Sequence, residues 1–152
     1  MNIFVVHENP EIAARSLCDK HVVKMILESV QMLSFATPEH LGAKSHYMHP
    51  CSIWARQTVG NFEWLQRHAI ELLFEYTRRY NKTHKWHDKV PLLQDAEVLD
   101  GPRTDFVQAM PDEYRRPNAV DAYRAYYIGD KARFAKWKHG NEPDWWPAKA
   151  AA

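Results

Sequence analysis

The sequence has few of the features that mark secreted or membrane-spanning proteins. It contains two cysteines, Cys18 and Cys51, in 152 residues, which is too few for a disulfide scaffold. Its apolar runs stay well below the roughly 20 residues that a membrane-spanning helix needs, and no segment has the pattern of a signal peptide. We therefore expect a cytoplasmic protein that has reduced thiols and does not enter a membrane.

The chain also has little net charge, but its charges are segregated. The net charge is +1, so the chain as a whole has no marked preference for an anionic partner. Residues 114–139 nevertheless hold seven Lys or Arg against two acids, and residues 78–89 hold five against one. Two basic segments that meet on one face would suit nucleic acid, although charge blocks are also common on solvated surfaces.

Cap residues and apolar periodicity predict an all-α fold with about three main helices. Asn9, followed by Pro10, is expected to cap a helix from about 10 to about 36, because Asn accepts a free helical N–H and Pro fits the first turn. Ser52 is expected to cap a helix to about 80, and Asn118 a helix over 119 to about 137. Gly60 inside the second helix costs about 1 kcal/mol relative to Ala and predicts a close approach of another backbone.

The remaining segments are predicted to be irregular. Residues 1–6 are expected to form a short extended N-terminal arm. Residues 81–117, which contain four prolines, are expected to form a long crossing loop with a short helical segment near 91–99. We expect one domain over 1–147 and a disordered tail at 148–152.

Residues 18–31 are the most informative stretch. In a helix, His21, Lys24, Glu28 and Gln31 lie along one stripe beside the apolar face. An imidazole, an amine and a carboxylate so arranged suit proton transfer or Schiff-base chemistry. The alternative is an exposed Lys24–Glu28 pair that stabilises the helix by a few tenths of a kcal/mol.

A second set of residues could bind zinc. Cys18-x2-His21 and His49-x-Cys51 supply four ligands of the right chemistry, but their spacing is not standard. Buried free cysteines and a capping histidine are the alternative. No other cofactor is expected.

Basic and aromatic side chains alternate from 123 to 137. Such a pattern suits base stacking combined with phosphate neutralisation, and it also suits an amphipathic helix that buries its aromatic face. The candidates for contact with DNA are Arg56, Arg79, Arg124, Lys131 and Tyr127. Arg79 would alternatively complement the C-terminal end of the second helix.

Three separated segments together resemble the phage pyrimidine-dimer DNA glycosylase family, also called endonuclease V. In the first, His21 precedes Glu28 by seven residues, which is the family's spacing between a histidine and its catalytic glutamate. The second and third, residues 62–79 and 123–132, are similar to the family's second long helix and to its aromatic, basic C-terminal segment. The chain is also similar to small phage proteins without an assigned activity, over residues 18–25, 49–54 and 108–114.

The resemblance implies an all-helical enzyme that acts on DNA, monomeric and located in the host cytoplasm if phage-encoded. In the family an N-terminal α-amine attacks C1′ of a damaged nucleotide, a Schiff base forms, and a glutamate assists base loss and strand cleavage around a flipped base. By position that glutamate is Glu28. Arg124 and Lys131 match the family's basic C-terminal segment as phosphate contacts.

The expected nucleophile differs from that of the family. There the amine belongs to a small residue that is exposed by removal of methionine and followed by arginine. Here Met1 precedes Asn2, which is too large for efficient removal, so the amine would be that of Met1. Lys20 or Lys24 are alternative nucleophiles, and His21 would orient groups or transfer protons.

Two other functions stay open at this point. One is a phage enzyme that hypermodifies DNA bases on the same fold. The other is a non-catalytic phage protein that binds DNA or a host protein.

Overall fold

The computed structural model describes residues 1–38, 41, 45–95 and 98–147. Within these residues there are no β-strands, and the predicted all-α fold is confirmed. None of the described helices is long and apolar enough to cross a membrane. The tail predicted at 148–152 lies outside the described residues. The helices are α1 (Pro10–Ser16), α2 (Asp19–Ser34), α3 (Pro50–Ala55), α4 (Val59–Tyr80) and α5 (Ala119–Lys131), with 3-10 turns at Val90–Leu92 and Asp112–Tyr114.

The first predicted helix is two helices, α1 and α2. Asn9 caps α1 as expected, accepting the N–H of Glu11. The chain then becomes extended at Leu17 and Cys18 although neither is a helix breaker. The backbone groups freed by this break find distant partners: Arg79 donates to Leu17 O, and the N–H of Cys18 donates to the hydroxyl of Tyr127. Tertiary contacts therefore stabilise a break that the local sequence does not signal.

The second predicted helix is also two helices, α3 and α4, and the predicted cap is wrong. Ser52 lies inside α3, which His49 caps. The cap of α4 is Thr58, whose side chain accepts the N–H of Asn61. Buried Asn61 in turn donates to Trp54 O, so one side chain satisfies a carbonyl at the end of α3.

The long loop crosses the start of α4 at Gly60. The N–H of Val59 donates to Leu99 O, and the N–H of Gly60 donates to Gly101 O. The loop backbone thus satisfies two free N–H groups at the start of α4. A Cβ on Gly60 would lie 2.2 Å from the backbone nitrogen of Arg103. The predicted close approach is confirmed, and no larger residue fits without moving the loop. The short helical segment in this loop is the 3-10 turn Val90–Leu92.

The core lies between α4, the two N-terminal helices and the buried arm. Both α1 and α2 pack along α4. The arm is not a strand, and the predicted extended conformation is interrupted at Phe4, which has a φ of 54°. Ile3, Val5 and Val6 are buried. Asn118 caps α5 as predicted, but this helix ends at Lys131, earlier than expected. The first turns of α2 thus face both the arm and the end of α5.

Candidate active site

A cavity of about 220 Å³ lies where the N-terminal arm, α2 and the end of α5 meet. The arm contributes Met1, Asn2 and Phe4, and α2 contributes the predicted polar stripe. Gln31, the last member of that stripe, is not part of the lining. The opposite wall is formed by Tyr126, Lys131, Arg133 and Phe134.

The centre of the site is the approach of the chain's first nitrogen to the Glu28 carboxylate. The α-amine of Met1 lies 3.6 Å from Glu28 Oε1, and the N–H of Asn2 donates to Glu28 Oε2 at 3.3 Å. The Met1 side chain is 1% exposed while the residue as a whole is half-buried, so its exposed part is the main chain that carries the amine. The Glu28 side chain is 14% exposed. An amine and a carboxylate therefore meet at a surface that a substrate can reach.

Cationic side chains surround this pair. Lys20, Lys24, Lys131 and Arg133 all line the cavity, where Glu28 is the one carboxylate among the lining residues. Lys131 lies over the ring of Tyr126 at 4.8 Å, and Lys20 lies over Phe134 at 4.7 Å. Lys131 is also paired with Asp130 at 2.8 Å. The electrostatic field in the cavity therefore favours an anion next to the carboxylate.

His21 forms part of the cavity wall as a buried group. It is 2% exposed, stacks on Phe4 with ring centroids 4.4 Å apart, and its Nδ1 lies 2.8 Å from the Tyr127 hydroxyl. Burial, with a smaller contribution from the charges of nearby lysines, lowers the pKa of His21 from 6.5 to about 3. At neutral pH the ring is uncharged, so it supplies hydrogen bonds and shape rather than an acidic imidazolium.

The structure corrects two of the proposed DNA contacts, Arg79 and Tyr127. The Arg79 side chain is fully buried and bonded to Glu75, Asp19 and two main-chain oxygens, so a phosphate cannot reach it. Tyr127 is 0% exposed, and its hydroxyl is used by His21 and by the N–H of Cys18. Both residues hold the first turn of α2 in place.

Two of the other three proposed contacts, Arg56 and Arg124, lie away from the cavity. Arg56 is half-buried, lies over the ring of Tyr47 at 3.8 Å and donates to Tyr47 O. Arg124 donates to Val6 O and lines a separate, larger cavity together with Trp145. Among the predicted basic residues, Lys131 is the one that shares the cavity with Glu28.

The four residues of the predicted zinc set do not form one cluster. His49 accepts the N–H of Cys51 as the cap of α3, and burial raises the pKa of the Cys51 thiol to about 12. Zinc binds the thiolate, which is disfavoured there. In the part of the chain that the structure describes, no group of three or more His, Cys, Asp or Glu side chains could hold a metal ion.

Several lining residues were not foreseen from the sequence. Asn2 and Phe4 had no motif to mark them, Tyr126 was not distinguished from the other aromatic residues of its segment, and Arg133 and Phe134 lie beyond the end of α5. The one available signal was the alternation of basic and aromatic residues after position 123, which indicated the right segment but not which side chains face the site.

The comparison with known families bears directly on this arrangement. The family described as pyrimidine dimer DNA glycosylase matches residues 1–88, which is more than half of the chain. The chain belongs to this family. No curated protein and no solved structure gives a significant match. The family match supports a DNA glycosylase-like function, with DNA as the partner.

The match covers eight of the twelve residues that line the cavity. Met1, His21 and Glu28 all lie within residues 1–88. The wall formed by Tyr126, Lys131 and its neighbours lies beyond them. The match therefore includes the amine and the carboxylate, and residues beyond it form the opposite wall of the cavity.

Proposed function

We propose that this chain removes a damaged pyrimidine from DNA and cleaves the strand, with the α-amine of Met1 as nucleophile and Glu28 as acid and base. The observation that supports this most directly is the 3.6 Å separation between the Met1 nitrogen and Glu28 Oε1 in a cationic cavity. Membership of the pyrimidine dimer DNA glycosylase family supports the choice of substrate.

In the proposed reaction the amine nitrogen bonds to C1′ while the bond from C1′ to the base breaks. The electron pair leaves with the base, which takes up a proton. Opening of the sugar ring then gives an imine. Glu28 accepts the proton that the amine loses and returns protons to leaving oxygens. Loss of a C2′ proton expels the 3′ phosphate, and water hydrolyses the imine and regenerates the amine.

The position of Met1 favours its amine over the lysines as nucleophile. The Met1 nitrogen lies 3.6 Å from Glu28 Oε1, where the carboxylate can take up the proton that a nucleophilic amine must lose. Lys20 and Lys24 are exposed residues on the rim of the cavity. We assign them, with Lys131 and Arg133, to the phosphates on either side of the target nucleotide.

The role of His21 is narrower than the sequence suggested. Since its ring is buried and uncharged at neutral pH, we propose that it supports Phe4 and the floor of the cavity. In this scheme all proton transfer at the reacting atoms is assigned to Glu28.

Borohydride trapping tests the proposal. Duplex oligonucleotides that carry an abasic site or a cyclobutane pyrimidine dimer are incubated with the wild-type protein, with Glu28→Gln, and with the control Glu63→Gln, which changes an exposed glutamate on α4. We expect a covalent adduct with wild type and control. Glu28→Gln should lose about 10²- to 10⁴-fold in base release, the usual range for a general acid or base. Peptide mapping should place the adduct on Met1.

Other outcomes identify the alternatives. An adduct on Lys20 or Lys24 would reassign the nucleophile. If no adduct forms and Glu28→Gln releases base as fast as wild type, the glycosylase proposal fails. Nucleoside mass spectrometry of the treated DNA then separates base modification, which changes the mass of a retained base, from binding without chemistry.

A further inference from the structure

The N-terminal arm turns sharply directly after the residue that carries the amine. Phe4 has a φ of 54°, a left-handed conformation that is uncommon for a large side chain. Its carbonyl accepts the N–H of Val6 at 2.8 Å, so the chain reverses within a few residues. Backbone in this region costs about 1–3 kcal/mol and persists only where neighbouring contacts enforce it.

The hydrogen bonds that support this turn come from the side chain of Asn2, while the Phe4 ring packs on His21. Asn2 Oδ1 accepts the N–H of Ile3 at 2.8 Å and that of Phe4 at 3.0 Å. Its Nδ2 donates to Ala109 O at 2.8 Å, which ties the turn to the crossing loop. Asn2 is 6% exposed, so these bonds are shielded from water.

Met1 is held on two sides of its Cα, and only its amine is left to face the cavity. On one side its side chain is buried, and its sulfur accepts a hydrogen bond from the Ser52 hydroxyl at 3.2 Å. On the other side the Asn2 turn holds the chain. Because these two points determine the direction of the remaining bond at Cα, they aim the nitrogen at Glu28.

We infer that the Asn2 side chain is a positioning residue that aims the Met1 amine at Glu28 by bonding the Ile3 and Phe4 N–H groups and Ala109 O. The inference rests on the proposed function. It assigns Asn2 a part in the rate of imine formation and none in DNA binding, which the lysines of the cavity perform.

Two variants of Asn2 test this role on duplex DNA that carries an abasic site. Asn2→Leu keeps the approximate size and loses all three hydrogen bonds, whereas Asn2→Asp keeps the two acceptor contacts and loses the donor to Ala109 O. Asn141→Leu, at an exposed position, is the matched control. Intact mass confirms that each protein begins at Met1, and urea unfolding monitors its stability.

We expect Asn2→Leu to lose about 10²-fold in kcat for imine formation, with KM for the DNA nearly unchanged, since displacing a reacting atom by about 1 Å has this effect. Asn2→Asp should recover about tenfold of that loss, because the turn keeps its acceptor oxygen.

The results separate this inference from the proposed function. If wild type forms no adduct, both fall. If wild type forms the adduct and Asn2→Leu matches it in kcat, or raises KM alone, the positioning role of Asn2 is overturned while the glycosylase proposal stands. An Asn2→Asp variant no faster than Asn2→Leu overturns the part assigned to the acceptor contacts. If Asn2→Leu does not fold, Asn2→Asp carries the same comparison of kcat against KM.

Discussion

The neutral state of His21 predicts a specific loss of stability in mild acid. The imidazole is 2% exposed, and burial together with nearby lysine charges lowers its pKa from 6.5 to about 3. In the unfolded chain the His21 ring therefore binds a proton near pH 6.5, whereas in the folded protein it does so only near pH 3. Stability from this group is complete above about pH 6.5 and is lost as the pH falls.

The magnitude follows from the two pKa values. Between about pH 7.5 and about pH 5 the unfolded state gains close to the full proton while the folded His21 gains almost none. The free energy of unfolding should fall by about 2 kcal/mol over this interval on account of His21 alone. The figure depends little on the folded value, because any pKa well below 5 gives nearly the same result.

Urea unfolding followed by circular dichroism across this range measures the effect. His21→Gln should be less stable than wild type at about pH 7.5, because it loses the stack on Phe4, and should show about 2 kcal/mol less pH dependence. His139→Gln, at an exposed position, should keep the wild-type dependence. If His21→Gln keeps it as well, His21 titrates normally in the folded protein, and a role as a charged acid becomes available to it again.

Two further predictions concern Arg79, which is buried, and Lys131, which lines the cavity. Arg79→Met should lower the free energy of unfolding by about 3–5 kcal/mol in urea, because Asp19 and two carbonyls lose a partner and buried Glu75 is left with the half-exposed Arg78. A loss below about 1 kcal/mol would contradict the burial of Arg79. Lys131→Ala should reduce the slope of log affinity for DNA against log salt by about 1, whereas Lys89→Ala, a lysine over the ring of Trp86, should leave it unchanged. Equal slopes for the two variants would remove Lys131 from the phosphate contacts.

The helix ends show how far local signals reach. Asn9 and Asn118 cap their helices as expected, because a cap acts on N–H groups two or three positions away in the same chain. The breaks before α2 and α4 were not foreseen. The first break is stabilised by Arg79, which donates to Leu17 O from 62 residues away. The second is stabilised by Asn61, which donates to Trp54 O from 7 residues away.

The candidate site also has a part that local sequence patterns predict and a part that they do not. The spacing of His21 and Glu28 placed both on one helical stripe, and the structure finds both in the lining of one cavity. Lys131, predicted as a DNA contact, lines the same cavity, whereas Tyr127 and Arg79, predicted alike, are buried. A charge or an aromatic ring in a pattern does not say which way its side chain points.

The all-α class, the caps of α1 and α5, and the helical stripe that carries Glu28 could be predicted, because they depend on residues that are near one another along the chain. The approach of the Met1 amine to Glu28, the hydrogen bonds of Asn2 and the place of Lys131 in the same cavity could not be predicted. Those contacts join parts of the chain that are far apart in sequence. They form because the arm and the aromatic residues of α5 are buried against α2, which brings the site residues together.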